Sequence, residues 1–321
     1  MKCAAPAETA PAASGNTQNR RVKTTQRHFL LAVLAGGLAG PAHAQANPAS
    51  ATSAWAAIAY GPAGSPDPAG DQQTGSSEGD IVGNAANPSF YAAFDNGGTP
   101  ALFTDGQLAF RLRVGADKNP PGYTGCAFVG MDLDDNGSPD LFAGVNNSGS
   151  AAVIGLWWAG SGSNLSPSTT TIAGTPAFSY AETAANYSWM AVTPANDPGG
   201  TSTDLDGAGQ TDYFLSFVVP FADVVAMAHT WGLAGFDEHS PVSCVAATAT
   251  QANSLNQDVN GVTGGVKSSD SWTALGGLSE PITAGGLVPV PEPSTLALVV
   301  LSLGICGFHH GRKPRPRRSP R

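Results

Sequence analysis

Apolar and polar positions alternate in short bursts along the middle of this chain, and the burst at 107–114 is the clearest. Leu108, Phe110, Leu112 and Val114 share one face there, while Ala109, Arg111 and Arg113 share the other. Successive side chains of a strand point to opposite faces, so the pattern predicts a half-buried β-strand. Similar segments at 89–94, 140–145, 152–158, 187–192, 212–219 and 231–236 read the same way, each bounded by Gly, Asn or Pro turns. The one helical candidate is 220–228, with Pro220 in the first turn and Asp223 near the positive end of the helix dipole. Residues 47–79 are rich in Ala, Pro, Gly and Ser and read as a loose leader, with Trp55, Ile58 and Tyr60 as an alternative first strand. From 251 to 286 the chain is polar and Gly-rich, with Trp272 and Leu275 as its core candidates. Seven or eight short strands without a long helical period predict an all-β fold, an antiparallel β-sandwich or jelly roll.

The two ends carry a different pattern. Arg20, Arg21, Lys23 and Arg27 precede an apolar run at 29–38 and then Pro41-Ala42-His43-Ala44. A basic region, a short apolar core and a small-x-small close make a signal peptide over 1–44, with cleavage expected after Ala44. Arg20-Arg21 raises twin-arginine export, but Val22, Lys23 and Thr24 do not fit that pattern, so the general secretory route is expected. At the other end Val290-Pro291-Glu292-Pro293-Ser294 leads into an apolar segment at 295–308, followed by Arg312, Lys313, Arg315, Arg317, Arg318 and Arg321. The prolines halt regular structure, the apolar segment enters the membrane as a transmembrane helix, and the arginines stay on the cytoplasmic side. That segment is shorter than the roughly 20 residues of a permanent span, which suits a temporary stop awaiting processing.

This C-terminal arrangement resembles the PEP-CTERM sorting signal of exosortase-dependent surface proteins, over residues 289–321. Cys306 within the apolar helix and His309-His310 before the arginines depart from the pattern without breaking it. The resemblance implies that signal peptidase and a membrane exosortase process the chain. It also implies that the exported domain, 45–288, works at the cell surface or outer membrane or beyond, often where exopolysaccharide or biofilm is made. Residues 110–114, 204–221 and 250–258 are loosely similar to the exported domain of some such proteins, which implies a shared scaffold and no known reaction. The alternative is an ordinary C-terminal membrane anchor.

Charge sharpens this picture. Residues 45–288 hold 22 acidic residues against four basic ones, Arg111, Arg113, Lys118 and Lys267, a balance of −18. Nucleic acid and anionic membranes are therefore poor partners, and divalent cations good ones. Cys126 and Cys244 are the two cysteines of that span and, in an oxidising compartment, read as one disulfide. Closing so long a loop would stabilise the fold by up to about 4 to 5 kcal/mol. Two separate buried thiols are the alternative.

The strongest chemical motif is Asp132-Leu133-Asp134-Asp135-Asn136-Gly137-Ser138-Pro139-Asp140. Asp132, Asp134, Asn136, Ser138 and Asp140 place oxygens at loop positions one, three, five, seven and nine, with Gly at six, the spacing that wraps Ca²⁺. Position twelve, Glu in an EF-hand, is Ala143, and the loop runs into a strand. Such loops resemble those of dockerins, FG-GAP blades and thrombospondin type repeats, where calcium orders the turn. A second copy begins 72 residues later: Asp204, Asp206 and Asp212 recur at positions one, three and nine, but position five is Ala208. Loss of that ligand weakens the case for calcium there. A solvated acidic turn is the competing reading for both.

Catalytic readings are thinner. Gly75-Ser76-Ser77-Glu78-Gly79 matches a nucleophile elbow in letters, with His229 and His239 downstream, but it sits in a polar loop without the apolar strand and helix that an elbow needs. Asp237-Glu238-His239 reads as a turn, and Glu78, Glu182 and Glu280 are few for a glycosidase pair. Adjacent Trp157 and Trp158 point to opposite faces of their strand, one into the core and one outward, where a sugar ring could stack. The sequence thus points first to a non-catalytic surface or matrix protein, with a carbohydrate-binding module or a secreted hydrolase as alternatives.

Overall fold

The computed structural model describes residues 47–60, 67–97, 106–118, 122–149, 152–160, 170, 174–252, 254–255, 257–264, 271–276 and 278–287. The expected signal peptide at 1–44 and the sorting segment at 289–321 lie outside the described residues. Among the described residues no helix is long and apolar enough to cross a membrane.

Two antiparallel sheets make a β-sandwich. The first runs in the order β1 (Ala56–Ala57), β2 (Phe90–Asp95), β3 (Gln107–Val114), β9 (Tyr213–Pro220) and β8 (Tyr187–Ala191). The second runs β11 (Asp258–Val259), β10 (Ser243–Ala249), β4 (Cys126–Asp132), β5 (Leu141–Asn146), β6 (Val153–Trp158) and β7 (Phe178–Tyr180). Register places Leu108, Phe110 and Leu112 of β3 opposite Val219, Phe217 and Leu215 of β9. These side chains meet the second sheet: Leu108 and Phe110 line one apolar space with Met131 and Cys244. Phe110 packs 5.7 Å from Phe217 and 6.1 Å from Phe90, ring centroid to ring centroid. Each such fully buried phenylalanine contributes about 1.5 to 3 kcal/mol.

The helix α1 (Phe221–Trp231) continues directly from β9, and its Asp223 accepts a hydrogen bond from Tyr180 of β7. Gly232, at φ 106°, ends it in the left-handed conformation that glycine adopts without strain. The strand expected at 231–236 is corrected here. Trp231 is the last helical residue, and a turn closed by Phe236 N–H to Leu233 O follows. Its apolar positions serve a helix end, where the helical spacing overrides an apparent alternation.

The outer face of each sheet is also buried, which corrects the half-buried reading of 107–114. On the second sheet Phe128 and Phe142 lie over glycines of neighbouring strands and Trp157 over Gly155 of its own, and a Cβ on Gly144 would stand 2.3 Å from the Phe128 ring. On the first, Arg111 and Arg113 are wholly buried. The Arg111 guanidinium lies 4.3 Å from the Trp55 ring and 4.9 Å from that of Phe214, and donates to the carbonyls of Pro48 and Ser50. The segment around Trp55 is thus a fixed cover, pinned by Thr52 N–H to Asn196 O at 2.8 Å.

The Cys126–Cys244 bridge is corrected as well; both are buried free thiols. Cys126 pairs with Ala249 and Cys244 with Met131, so they stand five positions apart on adjacent strands. That is about 17 Å along the strands, against a limit near 7 Å for a disulfide. An odd offset also turns the two thiols to opposite faces of the sheet. Burial pushes the Cys244 thiol up to about 12 and raises that of Cys126.

Candidate metal centres in two acidic loops

The loop at 132–140 joins β4 to β5, and the loop at 204–212 feeds β9. Their backbones share one construction. Positions four and six are left-handed in both: Asp135 (φ 59°) and Gly137 (φ 84°) in the first, Gly207 (φ 69°) and Gly209 (φ 78°) in the second. The position-six N–H donates to the position-one carboxylate, Gly137 to Asp132 at 2.7 Å and Gly209 to Asp204 at 3.0 Å. Leucine at position two donates to the position-nine carboxylate, Leu133 to Asp140 at 2.8 Å and Leu205 to Asp212 at 3.2 Å. The position-nine N–H closes each loop on a carbonyl nine residues back, Asp140 on Met131 and Asp212 on Thr203, both at 2.8 Å.

This wrapping gathers carboxylates. Oxygens of Asp132, Asp134 and Asp140 lie within 4.8 Å of one another, as do those of Asp204, Asp206 and Asp212. Both groups are able to hold a metal ion. Asn136 spends its Oδ1 on the Ser138 N–H at 2.9 Å, and Ala208 offers no side-chain oxygen at the matching place.

Their electrostatics differ. Desolvation raises Asp140 to about 6, helped by the charges of Asp134 and Asp132 and opposed by the Leu133 N–H. Asp132 is raised for the same leading reason. In the second loop a buried arginine enters: Arg113 Nε donates to Asp212 Oδ2 at 2.8 Å, and Arg113 Nη1 to Asp197 Oδ2 at 2.9 Å. Arg113 Nη2 also stands 2.7 Å from Asp212 and donates to Ser202 O at 2.6 Å. Desolvation still raises Asp212, with Arg113 pulling the other way. Sequence reasoning found both acidic loops but missed the pairing of Arg113 with Asp197 and Asp212, because Arg113 lies on the outer, polar face of its strand and only the fold covers it.

The other candidates do not converge. Ser77 opens a three-residue 3₁₀ turn, not a strand-to-helix elbow. It lies beside Gly115 at one end of β3, whereas α1, which carries His229, begins beside Gly106 at the other. His229 faces the Phe236 carbonyl, and His239 is exposed on a turn closed by its N–H to Asp237 Oδ1. Trp157 is buried edge-on against Phe128, while Trp158 stacks on the half-exposed Trp231 at 5.8 Å. No family model, curated protein or solved structure matches this chain.

Proposed function

We propose that this chain is a non-catalytic exported protein, processed by an exosortase, that acts at the cell surface or in an exopolysaccharide-rich matrix as a calcium-stabilised β-sandwich. The observation that carries the reading is the order Pro291-Glu292-Pro293, apolar segment, arginine cluster. A proline brake, a short membrane stop and charges that cannot cross amount to a handle for a membrane protease. The acidic sandwich agrees with it, because a domain of balance −18 is soluble outside the cell, where calcium is plentiful. The loop at 132–140 would take Ca²⁺ through its carboxylates, whereas in the loop at 204–212 Arg113 already occupies Asp212.

Deleting residues 290–321 tests this. The account expects the truncated protein to lose the processed surface form, seen by cell fractionation and mass analysis; unchanged maturation and location would contradict it. A second reading, carbohydrate binding, is favoured by Trp231, which is 50 % exposed and stacked on Trp158. Glycan-array binding that Trp231→Ala removes would support it, and no binding would dismiss it.

A further inference from the structure

A third group of aspartates lies away from both loops and was invisible along the sequence. Asp67 and Asp71 come from the segment before β2, and Asp258 from β11. Oxygens of all three lie within 4.8 Å of one another. Asp67 is 0 % exposed and Asp258 5 %. We propose that these residues, with Asp80 beside them, form a buried site for a hard divalent cation, Ca²⁺ by its donor set, that clasps the segment between β1 and β2 to the β11 edge of the second sheet.

Hydrogen bonding supports this. Asp67 Oδ1 accepts from Gly261 N–H, Asp71 Oδ2 from Gly264 N–H at 2.8 Å, and Asp80 Oδ2 from Gly70 N–H at 2.8 Å. In each of these carboxylates the second oxygen, Asp67 Oδ2, Asp71 Oδ1 and Asp80 Oδ1, is buried and has no hydrogen-bond partner. Asp80 is 1 % exposed and stands outside the convergent three, so its stranded oxygen is a separate observation. Asp258 is held by the N–H groups of Ile81 at 2.6 Å and Val259 at 2.8 Å. The backbone therefore fixes one oxygen each of Asp67, Asp71 and Asp80 and leaves the other without a partner, while both oxygens of Asp258 are held.

Buried acceptors without partners are rare, and buried like charges rarer, because each costs free energy unless something positive or protic meets it. Among the described residues the ion pairs are those of Arg113 and His239, which reach Asp197, Asp212 and Glu238 and none of these four. Oxygen-only donors without His or Cys select a hard cation over zinc or copper, and several anionic oxygens gathered from separate segments suit the larger, less regular shell of Ca²⁺ better than the tight octahedron of Mg²⁺. The ligands come from opposite ends of the described chain, Gly264 lying 193 positions from Asp71. One ion would thus tie two distant segments, a role neither hairpin-like loop can play.

Hydrogen exchange on the full-length protein, in EDTA and in excess CaCl₂, tests the site. With calcium at about a hundred times its Kd, openings that expose the amides of Gly70, Ile81, Gly261 and Gly264 should become about a hundredfold rarer. The pair Asp67→Asn and Asp258→Asn should abolish that slowing while leaving any slowing at 132–140 intact. Equal exchange at 67–81 and 258–264 with and without calcium in the wild type overturns the site, whatever happens at 132–140. Slowing that persists in the variant overturns it too. Neither result bears on processing of the C-terminal segment, which is read separately by fractionation.

Discussion

The loops at 132–140 and 204–212 are built alike and neutralised differently. Both reverse the chain through left-handed residues at positions four and six, and both hang the position-nine carboxylate on a leucine N–H. In the second loop the inward carboxylate, Asp212, rests on Arg113, which also carries Asp197. Among the described residues no arginine pairs with the first loop, and Asp140 is raised to about 6 with nothing cationic opposing it, whereas Arg113 opposes the rise of Asp212. A shared backbone motif thus does not settle whether a loop needs a metal; the charge reaching it from the neighbouring strand does. Loop 204–212 carries an internal cation that holds it folded, whereas loop 132–140 has its carboxylates oriented and uncompensated.

The comparison breaks most sharply at Arg113. Replacing it by Met leaves Asp197 and Asp212 buried without their partner, and urea denaturation should report a loss of about 3 to 5 kcal/mol. Part of that loss should return with calcium, since the vacated side of Asp212 becomes free for an ion. The next effect is backbone strain. Gly207→Ala forces a Cβ into the left-handed region and should cost about 1 to 2 kcal/mol, whereas Asp135→Gly at the matching position of the first loop should change stability by less than about 1 kcal/mol. The two differ because aspartate tolerates that conformation better than alanine.

The smallest effect is on pH dependence in EDTA. Asp140 and Asp80 are each raised to about 6 when folded, so folding favours their protonated forms. Their contribution is fully present below the unfolded value near 3.9 and is lost as pH rises through about 6. Thermal melts without metal should therefore lose stability between about pH 4 and 6, and saturating calcium should flatten that slope. An unchanged slope with calcium would separate these groups from any ion.

Much of the sandwich was legible in the sequence. Alternation located six of the strands, and β3 was placed residue for residue. The strands β4 and β10 escaped because they are buried on both faces and so present continuous runs, Cys126-Ala127-Phe128-Val129 and Cys244-Val245-Ala246-Ala247, that alternate nothing. Arg111 and Arg113 were read as a wet face because charge usually means solvent; the cover supplied by Trp55 and Asp197 comes from segments far along the chain. The acidic loops were legible because their ligands are local. The Asp67, Asp71 and Asp258 group was not, since its parts lie far apart along the chain and meet only where Gly261 and Gly264, just after β11, bind the carboxylates of Asp67 and Asp71.

One measurement bears most directly on the contrast between the loops: the calcium-induced rise in melting temperature for wild type, Asp134→Asn and Asp206→Asn. Both substitutions remove a charge at position three and leave the buried carboxylates in place. The account predicts that Asp134→Asn loses a clear share of the calcium response and Asp206→Asn nearly none. Equal losses, or a response that neither substitution changes, would contradict it.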